Sequence, residues 1–413
     1  MTVKVKSSSN NNLLLYYQCL LSVLFVLFFY TEADNHLFGL GITPRPYEMV
    51  IAYGLLAIPL LPGFMSKNIK YVPKSTFQWL GLYSLLTIIY YLFSSHYNEV
   101  VQQELSDRIL AVIFLLIALL IFAGKNLVQL CVKWALFCTI FWNIYTYVYE
   151  VLNPGVWQTF MTLNPSGRPA GFYVDANKAA CALIPSMIFS IDLVPQKYRL
   201  PFILIVIFGV IITFSRGATL CILILILLLI YNKMLSKKAI IYFITFGLIM
   251  AINSYNFASF VENQASNSGL LNKDLETRLS IFSNPSSDAS DDTSRVDIIG
   301  FAWEKIMAKP LFGNGIGYVH EWGEILPHNM YLYFMVEHGI LGIMILPLLI
   351  ISVTKNAYGE SKKISFMFGV FILIWSIFSH TVLLDRQNLM LFALTGIMSK
   401  SSYLNHICPR NNI

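Results

Sequence analysis

Residues 200–231 read LPFILIVIFGVIITFSRGATLCILILILLLIY, two unbroken apolar runs joined at Ser215-Arg216-Gly217. Lipid offers no water to satisfy backbone amides, so a chain inside it must form helices or a closed barrel. Neither run alternates as a barrel strand does. The stretch therefore predicts two membrane helices with a guanidinium at the turn between them. The rest of the chain agrees: of 413 residues, 56% are hydrophobic and 12% charged, with a mean hydropathy of +0.64. A soluble chain carries roughly a quarter charged residues, so soluble multidomain architectures are excluded.

Apolar windows of spanning length, with a few shorter ones, fall near 13–30, 47–62, 76–94, 108–123, 126–151, 176–194, 200–214, 217–231, 239–255, 332–353, 364–384 and 387–404. The N-terminal run follows a basic, Ser- and Asn-rich start and lacks an A-x-A site, which marks a retained first span rather than a signal peptide. An even number of spans puts both termini on one side. Most of the 28 Lys and Arg fall in the short loops and tails of that side, which is therefore cytoplasmic, whereas among the acids only Asp192 and Glu360 do. The net charge of +6 is thus segregated by membrane face and implies no nucleic-acid partner. Six scattered cysteines give no disulfide or zinc framework.

Two outer loops are long, 152–175 and 256–331, and function is expected there. The larger turns amphipathic at RVDIIGFAWEKIMAKPLF, with Ile298, Ile299, Ala302, Trp303 and Ile306 expected on one helical face at the membrane surface.

Four residues carry chemistry. Arg216, at a membrane boundary, either meets an anion or snorkels to headgroups. His328, in Pro327-His328-Asn329-Met330-Tyr331, is either a neutral general base or an ordinary histidine before a helix capped by Asn329. Arg168, in Gly167-Arg168-Pro169-Ala170-Gly171-Phe172, is placed to fork onto a phosphate or to pair with Asp175. Arg295 has the same two readings, its alternative partners being Asp291 and Asp292. Gly313-Asn314-Gly315-Ile316-Gly317 lacks the strand a dinucleotide fingerprint needs and reads as a turn. Asp288, Asp291 and Asp292 read as a solvated acidic stretch rather than a metal site. Lys133 is the one charge expected near mid-span, and Glu337 and His338 are expected to be structural, with Glu337 able to orient a neighbour.

Taken in order, S-R-G-A at Ser215 to Ala218, R-x-x-G-F with a later Asn at Arg168 to Asn177, and P-L-F-G-N-G-I-G, P-H-N-M-Y-L and E-H-G-I-L-G between Pro310 and Gly342 resemble the membrane family of O-antigen ligases and the related O-antigen polymerases. The resemblance implies an all-α integral membrane protein of about 12 transmembrane helices. Residues 1–255 would form helices 1–9, 256–331 a large periplasmic loop with an amphipathic helix, and 332–413 helices 10–12 with a cytoplasmic tail. It further implies a glycosyltransferase of the bacterial inner membrane that moves polysaccharide from undecaprenyl pyrophosphate to a lipid A-core sugar hydroxyl, inverting the anomeric centre without a metal or other cofactor. Arg216 and Arg295, with Arg168 in support, would bind the pyrophosphate, and His328 would deprotonate the acceptor. The R-x₁₀-G pattern of some polymerases is absent after Arg168, Arg216, Arg278 and Arg295. A polymerase remains the nearest alternative. A lipid-linked oligosaccharide flippase would place its ionisable residues nearer mid-span.

Overall fold

The computed structural model describes residues 6–94, 98–162, 167–236, 238–269, 271, 275–277, 279, 291–322 and 326–407. All regular structure among them is helical. The principal helices are α1 (Lys6–Phe29), α2 (Ala33–Gly39), α3 (Pro46–Ala57), α4 (Lys74–Leu92), α5 (Glu99–Phe122), α6 (Asn126–Leu152), α7 (Ala176–Ser190) and α8 (Arg199–Ile212). They continue as α9 (Arg216–Tyr231), α10 (Ala239–Asn267), α11 (Asp291–Ala308), α12 (Met330–His338), α13 (Ile345–Thr354), α14 (Gly359–Trp375) and α15 (Arg386–Ile407). Five stretches among the described residues are long and apolar enough to cross a membrane: Asn12–Phe29, Pro46–Tyr71, Glu99–Phe122, Asn126–Leu152 and Met330–Thr354.

The chain divides into two compact units. The first comprises Met1–Val26, Val50–Val132 and Asp291–Ile413, and the second Leu27–Met49 and Lys133–Ser290. In the first, α15 packs on α5, α13 and α14, and α4 packs on α5 and α13. Polar side chains pin these contacts: Trp79 Nε1 donates to the Ile345 carbonyl at 2.9 Å, and Gln18 Nε2 to the carbonyls of Ile121 and Ala123 at 2.8 and 2.9 Å. Without water, each such carbonyl needs a partner from the protein. In the second unit α8 packs on α7 and α9, and α9 on α7. Tyrosines bind it, Tyr30 donating to the Ala182 carbonyl at 2.8 Å and Tyr173 to the Tyr30 carbonyl at 2.7 Å.

Two sequence expectations are corrected. The expected span 108–123 begins as a helix at Glu99, because Asn98 caps it by accepting from the Val101 N–H at 2.9 Å. Arg108 thereby lies inside the helix, 1% exposed, rather than in an outer loop. Helix α14 ends at Trp375, short of the expected 384, and residues 376–385 run on as turns. Along α11, Ala302 and Ile306 are buried against Tyr333 and Val336 of α12, whereas Ile299 and Trp303 are about half exposed. Ile299 and Trp303 lie at the edge of the same face, whose centre is Ala302 and Ile306.

Candidate functional site

Three of the motifs singled out in the sequence sit at helix N-termini, and each supplies its own cap. Asp175 accepts from the Asn177 N–H at 3.0 Å to start α7, Ser215 Oγ from the Ala218 N–H at 3.4 Å to start α9, and Asn329 Oδ1 from the Tyr331 and Leu332 N–H groups at 2.9 and 3.2 Å to start α12. These short side chains compete for the first free amides of a helix, which is why they end up there. The N-terminal end of a helix favours anions.

In the second unit two of these starts are tied together. Ser215 Oγ donates to Asn177 Oδ1 at 2.9 Å, and the same oxygen accepts from Arg168 Nη1 at 3.4 Å. Arg168 is buried and lies 3.6 Å from Asp175, so the pairing alternative for this arginine is present alongside its contact with Asn177. The turn that carries it is clamped from α6, where Glu150 Oε2 accepts from the N–H groups of Ala170 and Gly171 at 2.8 and 2.7 Å. Phe172 stacks on His36 with ring centroids 4.1 Å apart, and burial pushes the His36 imidazole below its usual range. Arg216, by contrast, is exposed and opens α9. A cation at the positive end of a helix is unfavourable on its own account, and an anion bound there removes the penalty.

In the first unit His328 is exposed on the turn before α12. The Met330 N–H donates to the Ser376 carbonyl at 2.8 Å and Tyr331 Oη to the Leu373 carbonyl at 2.9 Å, which fixes the helix start that carries the imidazole. Asn329 does form the expected local cap. Arg295 lies on α11, and its side chain is outside the described residues, as are those of Asp288, Asp291 and Asp292.

Sequence reading did not find the charge cluster behind α12. Arg108 Nε and Nη2 donate to Glu104 Oε1 at 3.0 and 2.9 Å, and Nη2 also bridges to Glu337 Oε2. Its Nη1 lies 3.3 Å from His338 Nε2. Glu337, fully buried, takes its remaining bond from the Gly317 N–H at 2.8 Å. The glycine-rich segment is a turn, as expected, and its purpose is now visible. Asn314 and Gly315 donate backbone N–H groups to the carbonyls of Val336 and Glu337, both at 3.0 Å, closing the C-terminal end of α12. Glu104 also reaches His320, Oε2 to Nε2 at 3.7 Å, and this contact holds the His320 imidazole above its usual pKa of 6.5. The available signal was the i,i+4 spacing of Glu104 and Arg108 just before an apolar run. Among the described residues no group of three or more His, Cys, Asp or Glu is placed to hold a metal ion.

Residues 201–347 match the family model described as O-antigen ligase. Over that segment the chain is similar to the O-antigen ligase family. A search of curated proteins gives no match. The O-antigen ligase match takes in Arg216, Arg295, His328 and the Glu337-His338 pair, while Arg168 and Arg108 fall before it.

Proposed function

We propose that this protein is an O-antigen ligase. On this reading it transfers polysaccharide from undecaprenyl pyrophosphate to a sugar hydroxyl of lipid A-core at the periplasmic face of the inner membrane, with both termini cytoplasmic. The observation that carries the proposal is the family match over 201–347, which contains the S-R-G-A, P-H-N and E-H-G-I-L-G motifs in one continuous segment. The exposed Arg216 at the start of α9 supports it as an anion ligand.

In the proposed reaction Arg216 and Arg295 hold the pyrophosphate, and Arg168 braces the neighbouring turn through Asn177. The acceptor oxygen attacks the anomeric carbon as the bond from that carbon to the pyrophosphate oxygen breaks. His328 takes the hydroxyl proton, and undecaprenyl pyrophosphate leaves with the electron pair. Direct displacement inverts the anomeric centre. A pyrophosphate is already a good leaving group, so the protein's contribution is to stabilise its developing charge, an effect worth several kcal/mol. A positioned base adds roughly 10² to 10⁴-fold.

The test is complementation of a strain lacking its ligase, read as lipopolysaccharide banding on a gel. Restoration of a long-chain ladder on lipid A-core supports the proposal. Restoration of chain length in a polymerase-deficient strain, with none in the ligase-deficient one, replaces it with the polymerase reading.

A further inference from the structure

His328 does not stand alone. Its ring lies against that of His380, with centroids 5.5 Å apart and an interplanar angle of 53°. On its other contact His380 lies nearly parallel to Tyr333, at 5.6 Å and 23°. Three rings from two separate stretches of the first unit therefore form one stack that ends on the candidate base.

Both ends of the stack are anchored. The segment bearing His380 leaves α14 through the Phe378 N–H to Trp375 carbonyl bond at 2.8 Å. It is closed again where Thr381 Oγ1 donates to Asp385 Oδ2 at 2.9 Å and the Asp385 N–H returns to the Thr381 carbonyl at 2.9 Å. Tyr333 is 4% exposed, its hydroxyl is 3.4 Å from His320 Nε2, and His320 leans in turn on Glu104. The stack is thus rooted in the buried Arg108 cluster, whereas the helix start beside His328 is held independently by Asn329, Ser376 and Leu373. Nothing in that second set of bonds needs His380.

We propose that His380 is a positioning residue for His328, fixing the rotamer of its imidazole toward the acceptor hydroxyl by ring contact. The proposal rests on His328 being the base of the transfer reaction. General-base catalysis requires one orientation of the imidazole, and the His380 ring lies in contact with it. Misplacing a reacting group by about 1 Å costs on the order of 10²-fold.

Transfer is measured with purified protein, lipid-linked donor and lipid A-core. His380→Ala is expected to lower kcat on the order of 10²-fold with the KM values for both substrates little changed. His380→Phe, which keeps a ring, is expected to restore most of the turnover. In a double-mutant cycle, His380→Ala added to His328→Ala is expected to cost nothing further, because it acts through the imidazole already removed. Should the alanine variant fail to accumulate in membranes, His380→Leu carries the same expectation of lost turnover. Normal turnover in a ring-free variant overturns the proposal. A further loss on the His328→Ala background also overturns it, since His380 would then act by itself. Wild-type transfer by His328→Ala removes the base, and the positioning role with it, whereas an inactive His328→Ala beside a normal His380→Ala leaves the proposed function standing.

Discussion

Arg108 and Glu337, 229 residues apart in sequence, form a buried ion pair between α5 and α12, with the guanidinium 1% and the carboxylate 0% exposed. Glu104 is the second carboxylate on the same guanidinium. Arg108→Met strands two buried carboxylates and is expected to destabilise the protein most, by about 3–5 kcal/mol. Glu337→Gln, which leaves Arg108 paired with Glu104, should cost less. The ranking is checked by thermal unfolding in detergent, and equal midpoints for the two variants would contradict it.

The tie at Asn177 predicts an effect on the donor. Asn177→Ala removes the oxygen shared by Ser215 and Arg168, at about 1–3 kcal/mol of stability. Loosening the turn that carries Arg168 against the start of α9 is expected also to raise the donor KM. Steady-state kinetics with varied donor measure it, and an unchanged donor KM would show that the tie does not serve that substrate.

Loss of transfer with normal membrane accumulation is the expected result for both Arg216→Ala and His328→Ala, read as the absence of the lipopolysaccharide ladder. A normal ladder from either variant removes that residue from the site.

His320 gives a pH signature. Its pKa is raised in the folded protein by Glu104, so the folded state holds a proton more tightly than the unfolded one does. The resulting stabilisation is complete below about pH 6.5 and is lost as pH rises through the higher folded value. Wild-type thermal stability should decline across that window, and the decline should vanish in His320→Gln. A midpoint that rises with pH there, in wild type but not in the variant, would reverse the assignment.

Glycine is required in the turn that closes α12. Gly317 has φ +77°, its N–H serves Glu337, and an added Cβ would fall 2.8 Å from Val101 Cγ2. Gly317→Ala is expected to destabilise by at least 1–2 kcal/mol, roughly the backbone cost alone. Gly81→Ala in α4, where a Cβ meets nothing within 4 Å, is expected to be near neutral. Expression and thermal stability of the two variants separate them.

Apolar run length made the helices legible, and residue type at helix starts made the motifs legible. The stretch around Ser215-Arg216 reads from sequence because lipid allows few alternatives to a helix and because Ser is a natural cap. Arg108 was misplaced for the converse reason: length and hydropathy set the span's edge where the charges begin, yet a distant partner lets charges lie deeper. Nothing local announces that Glu337 waits for Arg108. Likewise His380 was hidden in an expected helix, since FILIWSIFSHTVLL holds no charged residue, Gly or Pro to mark the end that falls at Trp375. The turn at Gly313–Gly317 was read correctly in form, but its role as a collar for α12 depends on residues 336 and 337.

The Arg108 cluster also sets an order of events during biosynthesis. The ribosome delivers Arg108 with Glu104 one helical turn away, and the second carboxylate follows only after another 229 residues have been translated. Until then the nascent polypeptide must hold a guanidinium near lipid with half of its final counter-charge. Stop codons placed ahead of α12 should therefore leave fragments whose early segment never settles and which membrane quality-control proteases remove.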